Sequence, residues 1–124
     1  MNRSLFYLIT IVSLSIIILI GGCAEPIEIG EKTEDLQKIR ISEINLDPSE
    51  CAGDTIKTRG VIIDNGVDYR LVDDGEYLIL ALVGFDLPDS LIGAKVHCEG
   101  MIFYHEEKGH PSIASTYIAG RPCR

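Results

Sequence analysis

The side chains with chemical reach are few and scattered. Histidines stand at 97, 105 and 110, and cysteines at 23, 51, 98 and 123. His105 and His110 bracket a loop that also carries Glu106, Glu107 and Lys108, while His97 adjoins Cys98. Imidazole, thiolate and carboxylate all ligate zinc, but a site needs them at tight spacing on one face. No pair here has that spacing, and two-residue alternation sends His97 and Cys98 to opposite sides of a strand. Asp64 and Asp73-Asp74-Gly75-Glu76 offer oxygens to calcium, yet a tight turn explains the same residues without an ion. No metal site is expected. The chain also has no Ser–His–Asp order in a recognisable context and no phosphate-cradling glycine loop. Paired carboxylates occur only in turns, and Thr58 and Thr116 read as core or surface hydroxyls. The expectation is therefore no catalytic residue, no cofactor and no enzyme.

What carries these side chains is a repeated ribbon. Gly53-Asp54-Thr55-Ile56-Lys57-Thr58-Arg59-Gly60-Val61-Ile62 returns forty positions later as Gly93-Ala94-Lys95-Val96-His97-Cys98-Glu99-Gly100-Met101-Ile102. In each copy Ile56/Thr58 or Val96/Cys98 take one face, and Lys57/Arg59 or His97/Glu99 take the other. That is the two-residue period of a half-buried strand. A glycine inside such a strand marks a sharp bend or a close backbone approach. A small sheet coiling into a barrel needs that concession on its long strands.

Further strands follow from the same signals. Thr55 to Asp64 is the first, and Asn65-Gly66 favours a tight reversal into a second over Val67 to Val72. Asp74-Gly75 turns the chain into a third, Tyr77 to Val83, apolar throughout and so expected to be buried on both sides or covered by a lead-in segment. Gly84 to Ile92 connects with one helical turn at most, Lys95 to Tyr104 is the fourth strand, and Ser112 to Ala119 the fifth. Upstream, Ile39, Ile41, Ile44 and Leu46 fit a short strand or a helical turn against the barrel, with Asp47-Pro48 a turn or helix start.

The first 22 residues are of another kind. Leu5 to Ile20 is almost wholly apolar and runs into Gly21, Gly22 and Cys23, as a secretory leader and its cleavage site do. Ile20-Gly21-Gly22-Cys23 resembles the lipobox of prokaryotic lipoproteins, which implies a lipid on Cys23. The competing reading is an uncut N-terminal membrane span, for which the run is just long enough. Either way the folded part is expected at the cell membrane, outside the cytoplasm. Ala24 to Asp35 holds five acidic residues and one lysine, and reads as a tether, so that the domains are a leader (1–22), a tether (23–35) and a barrel (36–124). With Cys23 lipidated, one bridge at most can form among the rest. Antiparallel pairing of the fourth and fifth strands would bring Cys98 near Cys123; Cys51–Cys123 is the rival.

Five strands with a loop or short helix between the third and fourth follow the order of the OB-fold. The region from Ile41 to Ala119 resembles the OB-fold domains of the tRNA-anticodon-binding-like and nucleic-acid-binding superfamilies. The matching pieces are Ile41-Ser42-Glu43-Ile44 with Asp47-Pro48, Gly53-x-x-Ile56-x-Thr58-x-Gly60, Tyr69-x-Leu71-x-Asp73-Asp74-Gly75, and Gly93-x-x-Val96-x-Cys98-x-Gly100. The expected fold is thus all-β, a five-stranded Greek-key OB-fold barrel behind a lipoprotein leader and an acidic tether. The resemblance implies a binding face on the second and third strands and the loops beside them. Its candidate residues are Lys57, Arg59, Tyr69, Arg70, Tyr77, Tyr104, His105, Lys108 and His110.

Charge argues against a polyanion on that face. Past the leader the chain carries ten basic and nineteen acidic residues, a net charge of −9, and it contains no tryptophan. Phosphate neutralisation by Lys and Arg supplies most non-specific nucleic-acid affinity, and this balance opposes it. The expected function is a membrane-anchored binding module for a protein, peptide or small ligand. The alternative is single-stranded nucleic-acid or oligosaccharide binding on the OB-fold face.

Overall fold

The computed structural model describes residues 25–105 and 109–122. The leader, Cys23, Glu106, Glu107, Lys108 and Cys123 lie outside the described residues. In chain order the elements are β1 (Ile27–Gly30), α1 (Ile41–Leu46), α2 (Pro48–Cys51), β2 (Thr55–Asp64), β3 (Tyr69–Asp73), β4 (Glu76–Leu82), a 3₁₀ turn (Asp89–Leu91), β5 (Lys95–Phe103) and β6 (Ser112–Gly120). No helix among the described residues is long and apolar enough to cross a membrane.

Strands β2 to β6 close into a barrel in the order β2-β3-β4-β6-β5, with β5 returning to β2. Every pairing is antiparallel except β4 with β6. The all-β, five-stranded barrel expected from the repeat is the fold. The two copies of the repeat pair with each other about Thr58 and Cys98, so that Ile56 stands opposite Gly100 and Gly60 opposite Val96. Both glycines mark close backbone approaches. A Cβ on Gly60 would fall 2.8 Å from the Val72 carbonyl oxygen, and one on Gly100 would meet the carbonyl of Ala114. Gly60 lies where β2 begins to exchange β5 for β3 as its neighbour, and Gly100 lies at a bulge in the β5–β6 ladder. At such corners two strands crowd and a side chain has no room.

The interior is filled by the inward residues of the alternation: Ile56, Ile62, Leu71, Leu78, Val96, Ile102, Ile113 and Ile118. Ile41 and Ile44 are fully buried in the same core, so the lead-in segment is a helical turn rather than a strand. Spacing of three puts both isoleucines on one helix face, while Leu46 stays exposed. Arg40 pairs with Asp73 at 3.3 Å, and Asn45 donates to the carbonyl of Tyr77, placing α1 at the barrel end where β3 turns into β4. Leu91 of the 3₁₀ turn closes the other end against Gly120. Of the two expectations for β4, burial on both sides does not hold, whereas the lead-in helix α1 does pack against it. Leu78 and Leu80 are buried, Tyr77 and Ile79 are half-buried and Ala81 is exposed.

Residues 25–35, expected to be a tether, take part in the fold. β6 pairs with β4 only over Ser112–Ser115, which leaves its second half with a free edge. β1 occupies that edge, matching Ile27–Gly30 with Gly120–Tyr117. β2 has a similar gap, because β3 reaches only Val61–Asp64. There the amide of Ile39 donates to the carbonyl of Lys57, and the amide of Lys57 to the carbonyl of Gln37. Residues 31–38 thus form a strap from the far edge of β6 to the far edge of β2, across the outer face of β5. Among the described residues strand pairing begins at Ile27, within the segment read as a tether. Unpaired strand edges are costly to leave open, and the half-buried Ile27 and Ile29 pack against the core as β1 covers this one.

Candidate functional site: the cavity beneath the strap

The pairing lays out the floor of this site in two rungs. One runs Glu28, Ala119, His97, Arg59 across β1, β6, β5 and β2. The next runs Gly30, Tyr117, Glu99, Lys57, and Lys38 beyond the edge of β2. Strand alternation turns these side chains outward, away from Ile56, Thr58, Val96 and Cys98. Under the strap they enclose a cavity of about 330 Å³ lined by Glu28, Lys32, Lys38, Lys57, Thr58, His97, Glu99, Tyr117 and Ala119. That is at the small end of the ~300–1,000 Å³ range of ligand sites.

Glu99 is the unusual member. It belongs to the outer face, yet it is only 3% exposed. The strap covers it, and the amide of Thr33 donates to its Oε1 across 2.8 Å. Among the described residues neither Glu99 nor any of Lys32, Lys38 and Lys57 belongs to an ion pair. Buried charges are ordinarily paired or hydrogen-bonded in full, so this carboxylate stands out.

Two ionisable groups feel the field across the floor. Burial, then Lys38, Arg59, Lys95 and Lys57, pushes His97 below the usual imidazole range. Burial, a hydrogen bond to Glu28, and the charges of Glu28 and Glu99 push the Tyr117 phenol up. The side toward β2 is therefore positive and the side toward β1 negative.

No protein-family model matches this chain, and no curated protein matches it. The site rests on its own geometry.

The candidates drawn from the OB-fold resemblance separate in the structure. Lys57 lines the strap cavity, and Arg59 stands beside it on β2. Arg70, Tyr77 and His110 come together on the outer face of β3 and β4. The His110 ring stacks on Tyr77 with centroids 4.0 Å apart, and the Arg70 guanidinium lies 4.3 Å from the same centroid. Two groups that close must take opposite faces, so both sides of the ring are occupied. His110 Nε2 lies 2.6 Å from the Tyr77 carbonyl oxygen, which only accepts, so that nitrogen carries the proton. Arg70 is itself held by Asp68 at 3.5 Å. Tyr69 does not join this face; it packs against the core beside Leu80. Tyr104 and His105 remain in the loop after β5, which continues into Lys108, outside the described residues.

Sequence reasoning placed Glu99 and His97 on the outer face but passed over Glu28, Lys32, Lys38 and Tyr117. The signal for Glu28 and Lys32 is charge in a segment that reads as a tether, and Lys38 lies in the lead-in segment just after it. His97 and Cys98 do point to opposite sides, Cys98 inward, where its thiol donates to Ser115 at 3.1 Å. Cys51 and Cys98 are free thiols among the described residues. Both bridge pairings weighed from the sequence involve Cys123, outside those residues.

Proposed function

We propose that this protein is a non-catalytic binding module, held at the outer side of the cell membrane by a lipid on Cys23, that takes a small polar ligand or the end of a peptide under its strap. The observation that carries the reading is the strap cavity: a partly open, mixed-charge volume in which the buried Glu99 sits among the exposed Glu28, Lys32 and Lys38 and the half-buried Lys57. Sites of this kind use a few well-placed polar groups to fix a ligand's orientation. The strap follows directly on the segment that would bear the lipid, so the cavity would open close to the membrane surface.

Hydrogen–deuterium exchange tests the site. Amides of residues 31–38 should slow in the presence of at least one probe from a panel of small anions, amines and zwitterions. A strap whose exchange no probe alters would remove the reading. The anchor is tested apart from it, by the mass of the protein extracted from membranes. Diacylglycerol on an N-terminal Cys23 is the expected result, and an intact Met1 the contrary one.

A further inference from the structure

We infer that the strap cavity selects a short zwitterionic peptide, taking its free ammonium at the Glu28–Glu99 side and its free carboxylate at the Lys38–Lys57 side. The inference rests on the cavity being a ligand site, and it names the ligand's chemistry.

Charge on the cavity floor is sorted, and among the described residues no ion pair answers it. Glu28 sits on β1, Glu99 on β5, Lys57 on β2 and Lys38 beyond it, so acid gives way to base as the floor is crossed. The small Ala119 between Glu28 and His97 leaves the floor low on the acidic side. Glu99 accepts from Thr33, but among the described residues no ion pair joins these acids and lysines to one another. A simple cation would answer Glu99 and leave the lysines; a simple anion would do the reverse. A dipolar molecule answers both at once.

Spacing selects among dipolar molecules. Neighbouring strands lie about 4.8 Å apart, so Glu99 stands about 5 Å from Lys57 and about 10 Å from Lys38 at the backbone. An extended dipeptide carries its termini roughly 7 Å apart. A single amino acid can bridge Glu99 and Lys57 but falls short of Lys38, so the dipeptide gains the second cation. Lys32, on the strap above the floor, adds a second cation for the carboxylate once the strap is seated.

Isothermal titration of the full chain in detergent with alanyl-alanine, N-acetyl-alanyl-alanine, alanyl-alanine amide and alanine tests this. The free dipeptide should bind, and each blocked form and alanine should bind at least tenfold more weakly. Glu99→Gln keeps an acceptor for Thr33 and should erase the preference for the free ammonium. Lys57→Met, on the surface of β2, should erase the preference for the free carboxylate while leaving the ammonium preference in place. Equal binding of free and blocked dipeptides would overturn the inference. Strap protection by acetate or butylamine, without any preference for the dipeptide, would overturn it too and leave the cavity reading standing. No strap protection by any of these probes would sink both.

Discussion

Thr33 and Glu99 are 66 positions apart, and the amide of the first donates to the carboxylate of the second across 2.8 Å. This is the side-chain contact that pins the strap to the barrel between its two edge pairings. Glu99→Ala would release the amide and uncover the cavity floor. Thr33 itself is exposed, so water can take the amide, and losing the bond should cost about 0.5–1.5 kcal/mol in urea denaturation. Residues 31–38 should also exchange faster with deuterium while β2 and β5 hold their protection. Unchanged strap exchange in the alanine variant would mean that β1 and residues 37–39 hold the segment without Glu99.

The same contact shows what could be read from the chain and what could not. The barrel was legible because its cause is local: alternation at Ile56, Thr58, Val96 and Cys98 sets the faces, and Gly60 and Gly100 mark the corners. Even the outward placement of Glu99 follows from that period. Its burial does not, because the cover comes from a segment whose own residues say little. Ile27 and Ile29 among five acids look like tether, and they become a strand only because β6 has an edge that β4 does not reach. The stacked Arg70, Tyr77 and His110 illustrate the same point. Each was picked out singly, but their mutual occupation depends on the register of β3 with β4 and on the loop before β6.

Gly100 offers a direct check on the barrel corner. A Cβ there would press on the backbone of Ala114 and Ser115, which cannot swing aside as a side chain can. Gly100→Ala should destabilise by about 1–3 kcal/mol or more through overpacking. Gly53→Ala is the comparison: its surroundings are open, but φ is +88°, so the cost is backbone strain of about 1–2 kcal/mol. Denaturant midpoints should rank Gly100→Ala as the worse. The opposite ranking would mean that β5 and β6 can separate at the bulge.

Thiol labelling separates the interior from the surface. Burial pushes Cys98 up to about 12, outweighing its hydrogen bond with Ser115. Cys51 is raised too, by burial and by Glu50, Asp54, Asp47 and Glu43, but it is only half-buried. The thiolate is the reactive form, so a maleimide at pH 7.5 should modify Cys51 slowly and Cys98 only after denaturant. Peptide mass mapping reads both sites. Modification of native Cys98 at the rate of Cys51 would contradict the closed barrel.

The aromatic side of β3 and β4 should not bind single-stranded DNA. A base needs a free ring face to stack on, and Tyr77 has His110 on one and Arg70 on the other. Asp68 holds the arginine, so little positive charge is left for phosphate. Fluorescence anisotropy with an oligothymidylate at physiological salt should show no saturable binding below the micromolar range. A tighter, salt-sensitive affinity would restore the nucleic-acid alternative and require the Tyr77 stack to open.

His97 makes stability depend on pH in a definite direction. An unperturbed imidazole titrates near 6.5, and in the folded protein burial and then the cations Lys38, Arg59, Lys95 and Lys57 push it lower. Below about 6.5 the unfolded chain takes up a proton that the folded chain refuses, so stability is full above that pH and is lost as the pH falls through the folded value. Glu28, Glu99 and Tyr117 line the same cavity, which is why wild type alone would not isolate the effect. Urea denaturation at pH 7.5 and pH 5 should show a loss in the wild type that shrinks in His97→Gln, a change at a side chain exposed on β5. Equal losses in the two proteins would mean that the lysines and Arg59 are screened from His97, and that the floor lacks the charge gradient drawn across it.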